Sequence, residues 1–379
     1  MSLDDRHQAQ VTGTRAGLKI AFVTSIQRPT MLHAVCDELS RRGWSAQVMT
    51  DRDFDLSGAQ CIVTVGTGIA LTRLTRALER LGPDRAPHIA WITEPLPPLG
   101  ITPSMLGFCR WLSPARWGRD GLRPVLHAFS RPVIKAMLML QDHKIGDTDA
   151  RLVRYCCDNL AWLDRCLARG ALDRVAASTD LKRQQLSRWG FPAIFLPVPR
   201  HDGFGQDLAL DRTVDVLFVG RLKSRRREKT LAQLQTDLEQ RGRSVRIVSE
   251  GLYGADRTQA VNAARIMLHL HQFPSDTPWT RWHIASASGA AVASEPLMSP
   301  EPFRPGRDYL SAPVSELADE IDALLSEEDR RREMVANCRD RIAATMSLPI
   351  VCDTLCAQIS EVVSVRDDPS RSNALQRGP

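Results

Sequence analysis

Short apolar segments alternate with longer amphipathic segments along most of the first half of the chain. The apolar segments lack the in–out alternation of half-exposed strands, so they are predicted to be strands covered on both faces. The longer segments place apolar residues three or four positions apart, as helices with one buried face do. The predicted strands are 18–25, 45–50, 61–66, 88–93, 174–179 and 193–199, and the predicted helices are 28–43, 69–81, 149–169 and one that ends at Trp189.

The same alternation starts again after a polar segment at 200–212. Strands separated by helices predict parallel βαβ units, so we expect an α/β fold of two tandem Rossmann-like, doubly wound domains. Ligands of such sheets bind beyond the carboxyl ends of the strands, and the cleft between two facing domains is the expected site. The predicted strands here are 214–220, 244–249, 265–271 and 290–295, and the predicted helices are 226–241, 255–264, 280–288, 314–325, 327–344 and 348–363.

Changes in the pattern also predict where the units of the chain begin and end. Polar segments without apolar periodicity are expected to be linkers or disordered ends. The predicted units are a disordered N-terminal segment (1–17), a first domain (18–199), a linker (200–212), a second domain (213–345), a C-terminal helix (346–364) and a disordered tail (365–379).

The composition adds a modest excess of positive charge. The 379 residues include 50 cations and 44 anions, a formal net charge of +6, and 43% are apolar. An excess this small, spread along the chain, argues against a nucleic-acid partner and is compatible with an anionic ligand or membrane surface. The nine cysteines follow neither metal-binding nor disulfide spacing, and no uninterrupted run of 18 apolar residues occurs. We therefore expect a cytoplasmic protein without a membrane-spanning helix.

A dense block of cations follows the first strand of the second half, in FVGRLKSRRREKTL (218–231). It lies where that strand turns into the next helix, and the free N–H groups of a helix start favour an anion. Arginine adds planar forks that match phosphate oxygens. The candidate phosphate ligands are Gly220, Arg221, Lys223 and Arg225. The cations further along are predicted to form a solvated helix face, and these are Arg226, Arg227 and Lys229.

A second group of polar residues is expected at the same edge of the second sheet. His269 and His271 alternate on one strand, Arg281 opens the following helix, and Glu295 ends the next strand. Gly289 is predicted to let that helix turn tightly into the strand. A metal site at the two histidines lacks a third ligand with suitable spacing, so no metal is expected.

Residues 214–345 resemble the C-terminal, nucleotide-binding half of GT-B glycosyltransferases, and most of all the bacterial spore-maturation-type group. The resemblance lies in five segments of the sequence. They are VDVLFVGRL, ARIMLHLHQFP, TRWHIASASGAAVASEP, EPFRPGRDYL and SELADEIDALLSEEDRR. In the first half the resemblance is architectural, apart from WITEPLPP (91–98), which is similar to the strand-then-proline element that faces the cleft.

The resemblance implies a nucleotide-diphosphate sugar as donor and no separate cofactor. By motif, it assigns the diphosphate and nucleotide to Gly220, Arg221, His271, Arg281 and Gly289, and more loosely to Asp308. One position departs from the family pattern, because Ile284 stands where many relatives have the glutamate that holds the ribose. Either Glu295 or His283 takes over the ribose, or the donor sits differently, or donor binding has been lost.

Candidate residues for catalysis or metal binding occur in both halves of the chain. Glu94, at the end of a predicted strand of the first domain, is a candidate general base for the acceptor hydroxyl. The alternative is a loop carboxylate that caps a nearby helix. Arg221 is the candidate group that stabilises the leaving diphosphate, which removes the need for a metal. The segment Asp51-Arg52-Asp53 superficially matches the metal-binding Asp-x-Asp of the other large glycosyltransferase fold, but two βαβ domains argue against that fold.

The segment 101–145 interleaves cations with tryptophans, which is typical of a patch that contacts an anionic membrane surface or a lipid-linked acceptor. An irregular insertion that packs its tryptophans on the core is the alternative. The function expected is transfer of a sugar to an acceptor hydroxyl of a glycan, a lipid-linked molecule or a small molecule, in bacterial cell-surface polysaccharide or glycoconjugate synthesis. The alternatives are a catalytically inactive nucleotide-sugar-binding or assembly protein, and a sugar-nucleotide epimerase.

Overall fold

The computed structural model describes most of both predicted domains. The described residues are 17–26, 29–66, 68–97, 103–111, 113, 150–222, 224–272 and 279–367. Lys223, most of the segment 101–145, and nearly all of both predicted disordered ends lie outside them.

Eleven strands form two separate parallel sheets among the described residues. The six-stranded sheet has the order β2-β1-β3-β4-β5-β6 and the five-stranded sheet the order β11-β10-β9-β7-β8. These strands are β1 Lys19–Thr24, β2 Ser45–Thr50, β3 Cys61–Val65, β4 His88–Ile92, β5 Arg174–Ala177, β6 Ala193–Phe195, β7 Val214–Val219, β8 Val245–Val248, β9 Ala264–His269, β10 Ala291–Ser294 and β11 Leu310–Ser311. The prediction of two tandem Rossmann-like sheets is confirmed.

Helices connect the strands and lie on the faces of both sheets. They are α1 Thr30–Arg41, α2 Thr72–Leu81, α3 Pro103–Trp111, α4 Ala150–Ala168, α5 Asp180–Arg188, α6 Arg225–Gln240, α7 Gly254–Asn262, α8 Thr280–Ala287, α9 Leu317–Ser326, α10 Glu328–Met346 and α11 Leu348–Asp367. Helix α3 lies in the segment for which no element was predicted, and the two-residue strand β11 was not predicted either.

Each sheet has an apolar cluster on both faces, which explains the uninterrupted apolar strands. In the first sheet β3 and β4 are buried throughout, with Trp91 and Ile62 inside opposite clusters. In the second sheet Phe218 and Leu217 point into opposite clusters in the same way. Covering both faces leaves the carboxyl edges of the strands as the place where polar side chains gather.

The last helix, α11, returns from the second sheet to the first. Its apolar side chains, among them Val351, Leu355 and Ile359, pack into the cluster that also holds Phe22 and Trp91. Over Leu348–Arg366 this helix is long and apolar enough to cross a membrane by length and composition alone. The apolar side chains that give this helix its high hydropathy include those that pack against the first sheet.

The chain crosses between the two sheets at two neighbouring places. The linker passes the start of α11, where the Arg200 N–H donates to the Met346 carbonyl at 2.7 Å. Phe204 of the linker stacks on His283 of α8 with ring centroids 4.8 Å apart. The linker is therefore packed against the second sheet's helices along part of its length.

Candidate functional site

The carboxyl edge of the second sheet brings together most of the predicted phosphate and nucleotide ligands. Strands β7, β9 and β10 are neighbours in the sheet. Gly220 follows the first of them, His271 the second and Glu295 the third. Because the strands are parallel, these three residues lie along one edge, where the starts of α6 and α8 also lie.

Gly220 allows Arg281 to lie across the end of β7. A Cβ atom at Gly220 would come within 2.5 Å of Arg281 Nη2, so a larger residue would displace the guanidinium. Arg281 Nη1 lies 2.9 Å from His269 Nδ1, and the guanidinium carbon lies 5.9 Å from the centroid of the Phe218 ring. The glycine and the arginine predicted for this site therefore depend on each other.

Arg227 is buried, which corrects the prediction that it lies on a solvated helix face. It is only 3% exposed, and its guanidinium donates to the carbonyl of Leu270 at 2.7 Å and to that of Arg221 at 3.1 Å. Ser224 caps the helix by accepting the Arg227 N–H at 3.1 Å. Arg227 thus ties the loop after β7 to the end of β9 and holds Arg221 in place.

Arg226 pairs with Glu295, which also corrects the prediction of a solvated helix face. Arg226 Nη1 donates to Glu295 Oε1 at 3.0 Å, and Nη2 bonds the second carboxylate oxygen. The backbone N–H of His271 donates to the same Oε1 at 2.6 Å. Burial pushes the pKa of Glu295 upward, but the bonds from Arg226 and His271 outweigh burial and hold that pKa below its usual value.

The position of Glu295 leaves its assignment to the ribose a prediction. Both of its carboxylate oxygens already accept hydrogen bonds from the chain itself. A ribose hydroxyl would have to share these oxygens. His283, the other substitute considered, is fully buried against Phe204, and Ile284 beside it is 8% exposed. His283 is therefore not accessible at this edge.

The two histidines differ in their surroundings. His271 Nε2 lies 3.0 Å from the Pro296 carbonyl oxygen, while its Nδ1 is buried with no hydrogen-bond partner among the described residues. Burial and the nearby Arg281 charge push the pKa of His269 far down, so this ring is neutral. A guanidinium beside His269 also disfavours a cation there. The described ranges contain no group of three His, Cys, Asp or Glu residues that could hold a metal.

Arg221 and Arg225 are exposed at the mouth of this edge. Arg225 is the first residue of α6, and Arg221 precedes the helix by one short turn. Lys223 lies outside the described residues, so its predicted contact with phosphate stays a prediction. Solvent-facing guanidiniums beside the free N–H groups of a helix start form an anion-binding surface.

Gly289 does not lie with the other predicted ligands, which corrects its assignment to the nucleotide. It follows α8 and precedes β10, so it lies at the amino edge of the sheet, opposite Gly220. Its φ is +73°, and a Cβ there would lie 2.3 Å from Arg212 Nη2 and 2.8 Å from Asp207 Oδ2. The tight turn was predicted correctly, but it faces away from the ligand edge.

Gly289→Ala is expected to lower the free energy of unfolding by about 2 kcal/mol, because a side chain is strained at positive φ and would displace Arg212. Urea unfolding measures this loss. Gly242→Ala is the matched control, with φ +76° and nothing within 4 Å of its Cβ, so it carries the strain without the clash. Equal losses in the two variants would contradict a packing role for Gly289.

Asp308 and Asp51 both bond backbone N–H groups of the chain. Asp308 is 2% exposed, and its Oδ2 accepts the Arg304 N–H at 2.8 Å. Asp51 accepts the backbone N–H groups of Leu74 at 2.8 Å and Arg73 at 3.3 Å, so it caps the start of α2. Neither contact faces the edge that holds Gly220, and the loose assignment of Asp308 to the donor is corrected accordingly.

Glu94 lies just past the end of β4, at the carboxyl edge of the first sheet. The Tyr155 hydroxyl of α4 donates to Glu94 Oε2 at 2.7 Å. Burial, followed by the Glu94 charge, raises the pKa of Tyr155, so its proton stays on the phenol. The carboxylate is half-buried and oriented by this bond. The role of general base stays a prediction.

The sequence did not lead us to predict the roles of Arg226 and Arg227, which bond Glu295 and the loop after β7. A sequence signal was available, because consecutive helical residues point about 100° apart and the three arginines at 225–227 therefore face different directions. Helical spacing from the buried Leu231 and Leu234 places Arg227 on the same face, since it lies four positions before the first of them.

Part of the second half of the chain is similar to a known protein family. Residues 225–355 match the Glycosyl transferase-like family. This match runs from the start of α6 into the first half of α11, so it includes the predicted ligands from Arg225 to Glu295 and begins after Gly220 and Arg221. No curated protein is significantly similar to the chain in sequence.

Solved structures extend the likeness to both sheets. HepE from Anabaena, crystallised with UDP-glucose, aligns with a TM-score of 0.52 at 12% identity, over 92% of this chain and 99% of HepE. The UDP-forming α,α-trehalose-phosphate synthase from Burkholderia xenovorans aligns with a TM-score of 0.52 at 11% identity, over 91% and 99%. TarM aligns at 0.50 and 8% identity over 80% of this chain, which spans only 54% of TarM. The fold is GT-B.

Proposed function

We propose that this protein is a glycosyltransferase that takes a sugar from a nucleoside-diphosphate sugar and transfers it to an acceptor hydroxyl. The observation that carries the proposal is the anion-binding edge of the second sheet, which adjoins the start of the glycosyl transferase-like match at Arg225. There Gly220, Arg221 and Arg281 meet the start of α6. A diphosphate is the ligand that such a helix start with flanking guanidiniums fits best.

We propose a UDP-sugar as the donor. HepE, whose structure contains UDP-glucose, and the UDP-forming trehalose-phosphate synthase share the fold. In this chain the nucleoside would lie near His271 and Glu295, beyond β9 and β10. His271 Nδ1, buried without a partner among the described residues, is a polar atom that a bound nucleotide could satisfy.

The proposed transfer needs one bond broken and one formed at the anomeric carbon of the sugar. The acceptor oxygen bonds to that carbon, the bond from the carbon to the diphosphate oxygen breaks, and the bonding electrons leave with the diphosphate. Arg221 stabilises the negative charge that develops there, and Glu94 takes the proton of the acceptor hydroxyl. Because guanidiniums balance the charge of the leaving group, we propose that transfer requires no metal.

We propose that the acceptor binds at the first sheet. Glu94 and the carboxyl edge of the first sheet would face the acceptor, which we propose to be a glycan, a lipid-linked molecule or a small molecule of cell-surface synthesis. Trp111 at the end of α3 is 53% exposed, in line with a peripheral membrane contact through 101–145 at the cytoplasmic face. The nine cysteines are buried and free, which supports a reducing compartment.

A protein that binds the donor without transferring the sugar is the second candidate. It is favoured by Ile284 at the family's glutamate position and by Glu295, whose oxygens are engaged by Arg226 and His271. A sugar-nucleotide epimerase would convert the donor with no acceptor present. Incubation of the protein with UDP-sugars, with and without acceptor, separates these candidates by the release of UDP and by the isomer recovered.

Arg221→Ala is expected to weaken UDP binding about 10- to 100-fold, the size of one lost charged hydrogen bond. Calorimetric titration of UDP in excess chelator measures this change, and unchanged affinity in chelator is part of the expectation. Arg330→Ala is the control, because that arginine lies on α10 in a surface pair with Glu327.

Equal affinities in the two variants would contradict the placement of the diphosphate at Arg221. A wild-type protein that binds no UDP would contradict the proposed donor. Transfer that stops in chelator and returns with Mn²⁺ or Mg²⁺ would contradict the metal-independent mechanism.

A further inference from the structure

A polar cavity lies at the amino edge of the second sheet, opposite the donor edge. It has a volume of about 680 Å³. Its walls are the linker at 207–212, the start of β9, the turn before β10, the end of α9 and one face of α10. A volume of this size is within the range of small-molecule sites, and is larger than a single inorganic phosphate needs.

Positive charge dominates the walls of this cavity, which we call the arginine pocket. Five arginines line it against three carboxylates. The arginines are Arg212, Arg265, Arg331, Arg332 and Arg339, and the carboxylates are Asp207, Asp211 and Glu328. The remaining lining includes the apolar side chains of Leu325 and Val335.

The two most enclosed arginines are fixed by backbone carbonyls. Arg212 donates to the carbonyls of Asn262 at 3.2 Å and Ser288 at 3.0 Å, and Arg331 donates to that of Leu325 at 3.0 Å. Within the described part of the chain neither forms an ion pair with a carboxylate. Carbonyl bonds orient a guanidinium without neutralising it, so a ligand anion would add to the attraction that Asp207 exerts on Arg212 and Glu328 on Arg331.

The other three arginines stand at the rim, each in one ion pair. The pairs are Arg265–Asp215, Arg332–Glu328 and Arg339–Asp207. Their side chains are 40%, 73% and 44% exposed, so each can reorient toward a ligand at little cost. Residues 328, 331, 332, 335 and 339 recur every three or four positions, so one face of α10 and its amino-terminal turns line the pocket.

The arginines also repel one another. Burial lowers the pKa of Arg331, the charge of Glu328 opposes this, and the charges of Arg265 and Arg332 lower the pKa further. Burial lowers the pKa of Arg212 in the same way, with Asp207 opposing it and Arg331 and Arg339 adding to it. An anion among them would relieve this repulsion, and it would also be favoured by the start of α10.

We propose that the arginine pocket binds a phosphorylated small molecule that carries two or more negative charges. Fixed guanidiniums at Arg212 and Arg331 would hold its phosphate oxygens, and the apolar wall at Leu325 and Val335 would contact its uncharged part. The site is separate from the donor site, because Arg265 and Gly289 lie at the opposite ends of β9 and β10 from His271 and Glu295. It does not depend on the proposed transferase activity.

The linker and α10 both contribute walls to the pocket, and these are the two parts of the chain that connect the second sheet to the first. Helix α10 continues into α11. A bound anion would bridge Arg212 of the linker and Arg331 of α10. Ligand binding is therefore expected to stabilise the folded chain as a whole and to raise its melting temperature.

Titration calorimetry with inorganic tripolyphosphate tests the proposal on the full chain. Arg221→Ala serves as the background, because it weakens binding at the donor edge. In that background one equivalent is expected to bind and to raise the melting temperature. Adding Arg332→Glu is expected to weaken this binding at least about tenfold, since it removes one cation and adds an anion. Adding Ala336→Trp, which fills the pocket without changing charge, is expected to abolish it.

Arg330→Glu in the same background is the matched control. It changes the same charge on the same helix, it breaks a similar short-range pair with Glu327, and Arg330 does not line the pocket. Its affinity is expected to stay within about twofold of the background. Equal losses of affinity in Arg332→Glu and Arg330→Glu would show that only the overall charge matters, and would contradict binding in the arginine pocket. Binding retained by Ala336→Trp, or no binding in the background, would also overturn it.

Discussion

Glu94→Gln is expected to lower the rate of sugar transfer by about two to four orders of magnitude, the usual contribution of a general base. The amide keeps the shape and can still accept the Tyr155 hydroxyl bond, seen at 2.7 Å, but it cannot take a proton. UDP binding is expected to stay unchanged, because Glu94 lies in the first sheet's edge and the donor ligands in the second. The rate of UDP release in the presence of acceptor measures transfer, and calorimetric titration measures UDP affinity.

Tyr155→Phe is the companion variant, since it removes the bond that orients the carboxylate and leaves the base itself. Its transfer rate is expected to fall about tenfold or less, well short of the loss from Glu94→Gln. Glu79→Gln, which breaks a first-domain pair with Arg165 away from this edge, should leave the rate unchanged. A Glu94→Gln enzyme that keeps its rate would assign the base to another residue and return Glu94 to a structural role.

Arg227→Ala is expected to lower the free energy of unfolding by about 3 kcal/mol, because it removes the donor to the buried Leu270 carbonyl and to the partly buried Arg221 carbonyl. It should also weaken UDP binding, since the Arg221 carbonyl loses the bond that holds its loop. Urea unfolding and UDP titration measure the two effects. Arg227→Lys should restore part of the stability, because an ammonium can reach one of the two carbonyls.

Arg225→Ala is the matched control for this variant, two positions away on the same helix and exposed. Its free energy of unfolding should stay within about 0.5 kcal/mol of the wild type. Similar stabilities for Arg227→Ala and Arg225→Ala would contradict the contacts that we assign to the buried guanidinium.

The apolar pattern was sufficient to predict the fold class and ten of the eleven strands, with small differences at their ends. A strand covered on both faces is mainly apolar, so β1, β3, β4, β7 and β9 are visible in the sequence alone. Strand β11 has two residues and leaves no periodic signal. Helix α3 begins at a proline within a segment rich in Pro, Gly and Trp, where composition conceals the helical period.

The order of strands and helices was also sufficient to predict which residues gather at the carboxyl edge of the second sheet. Because the strands are parallel, residues just after β7, β9 and β10 had to meet at one edge, and so Gly220, His271 and Glu295 were predicted to lie close together. Gly289 was assigned to that edge by motif although it precedes β10, which puts it at the opposite end of the strand. For this residue the topology of a parallel sheet was the better guide.

Which partners the neighbouring cations bind was decided only by the tertiary structure. Arg225, Arg226 and Arg227 are equivalent in composition, yet one faces solvent, one pairs with Glu295 and one bonds the carbonyls of Leu270 and Arg221. The reason is that a guanidinium's partner is set by carbonyls and carboxylates far away in sequence. Local patterning determines which residues lie on a buried face. It carries no information about the atoms across from that face, which only the packed sheets bring within hydrogen-bonding distance.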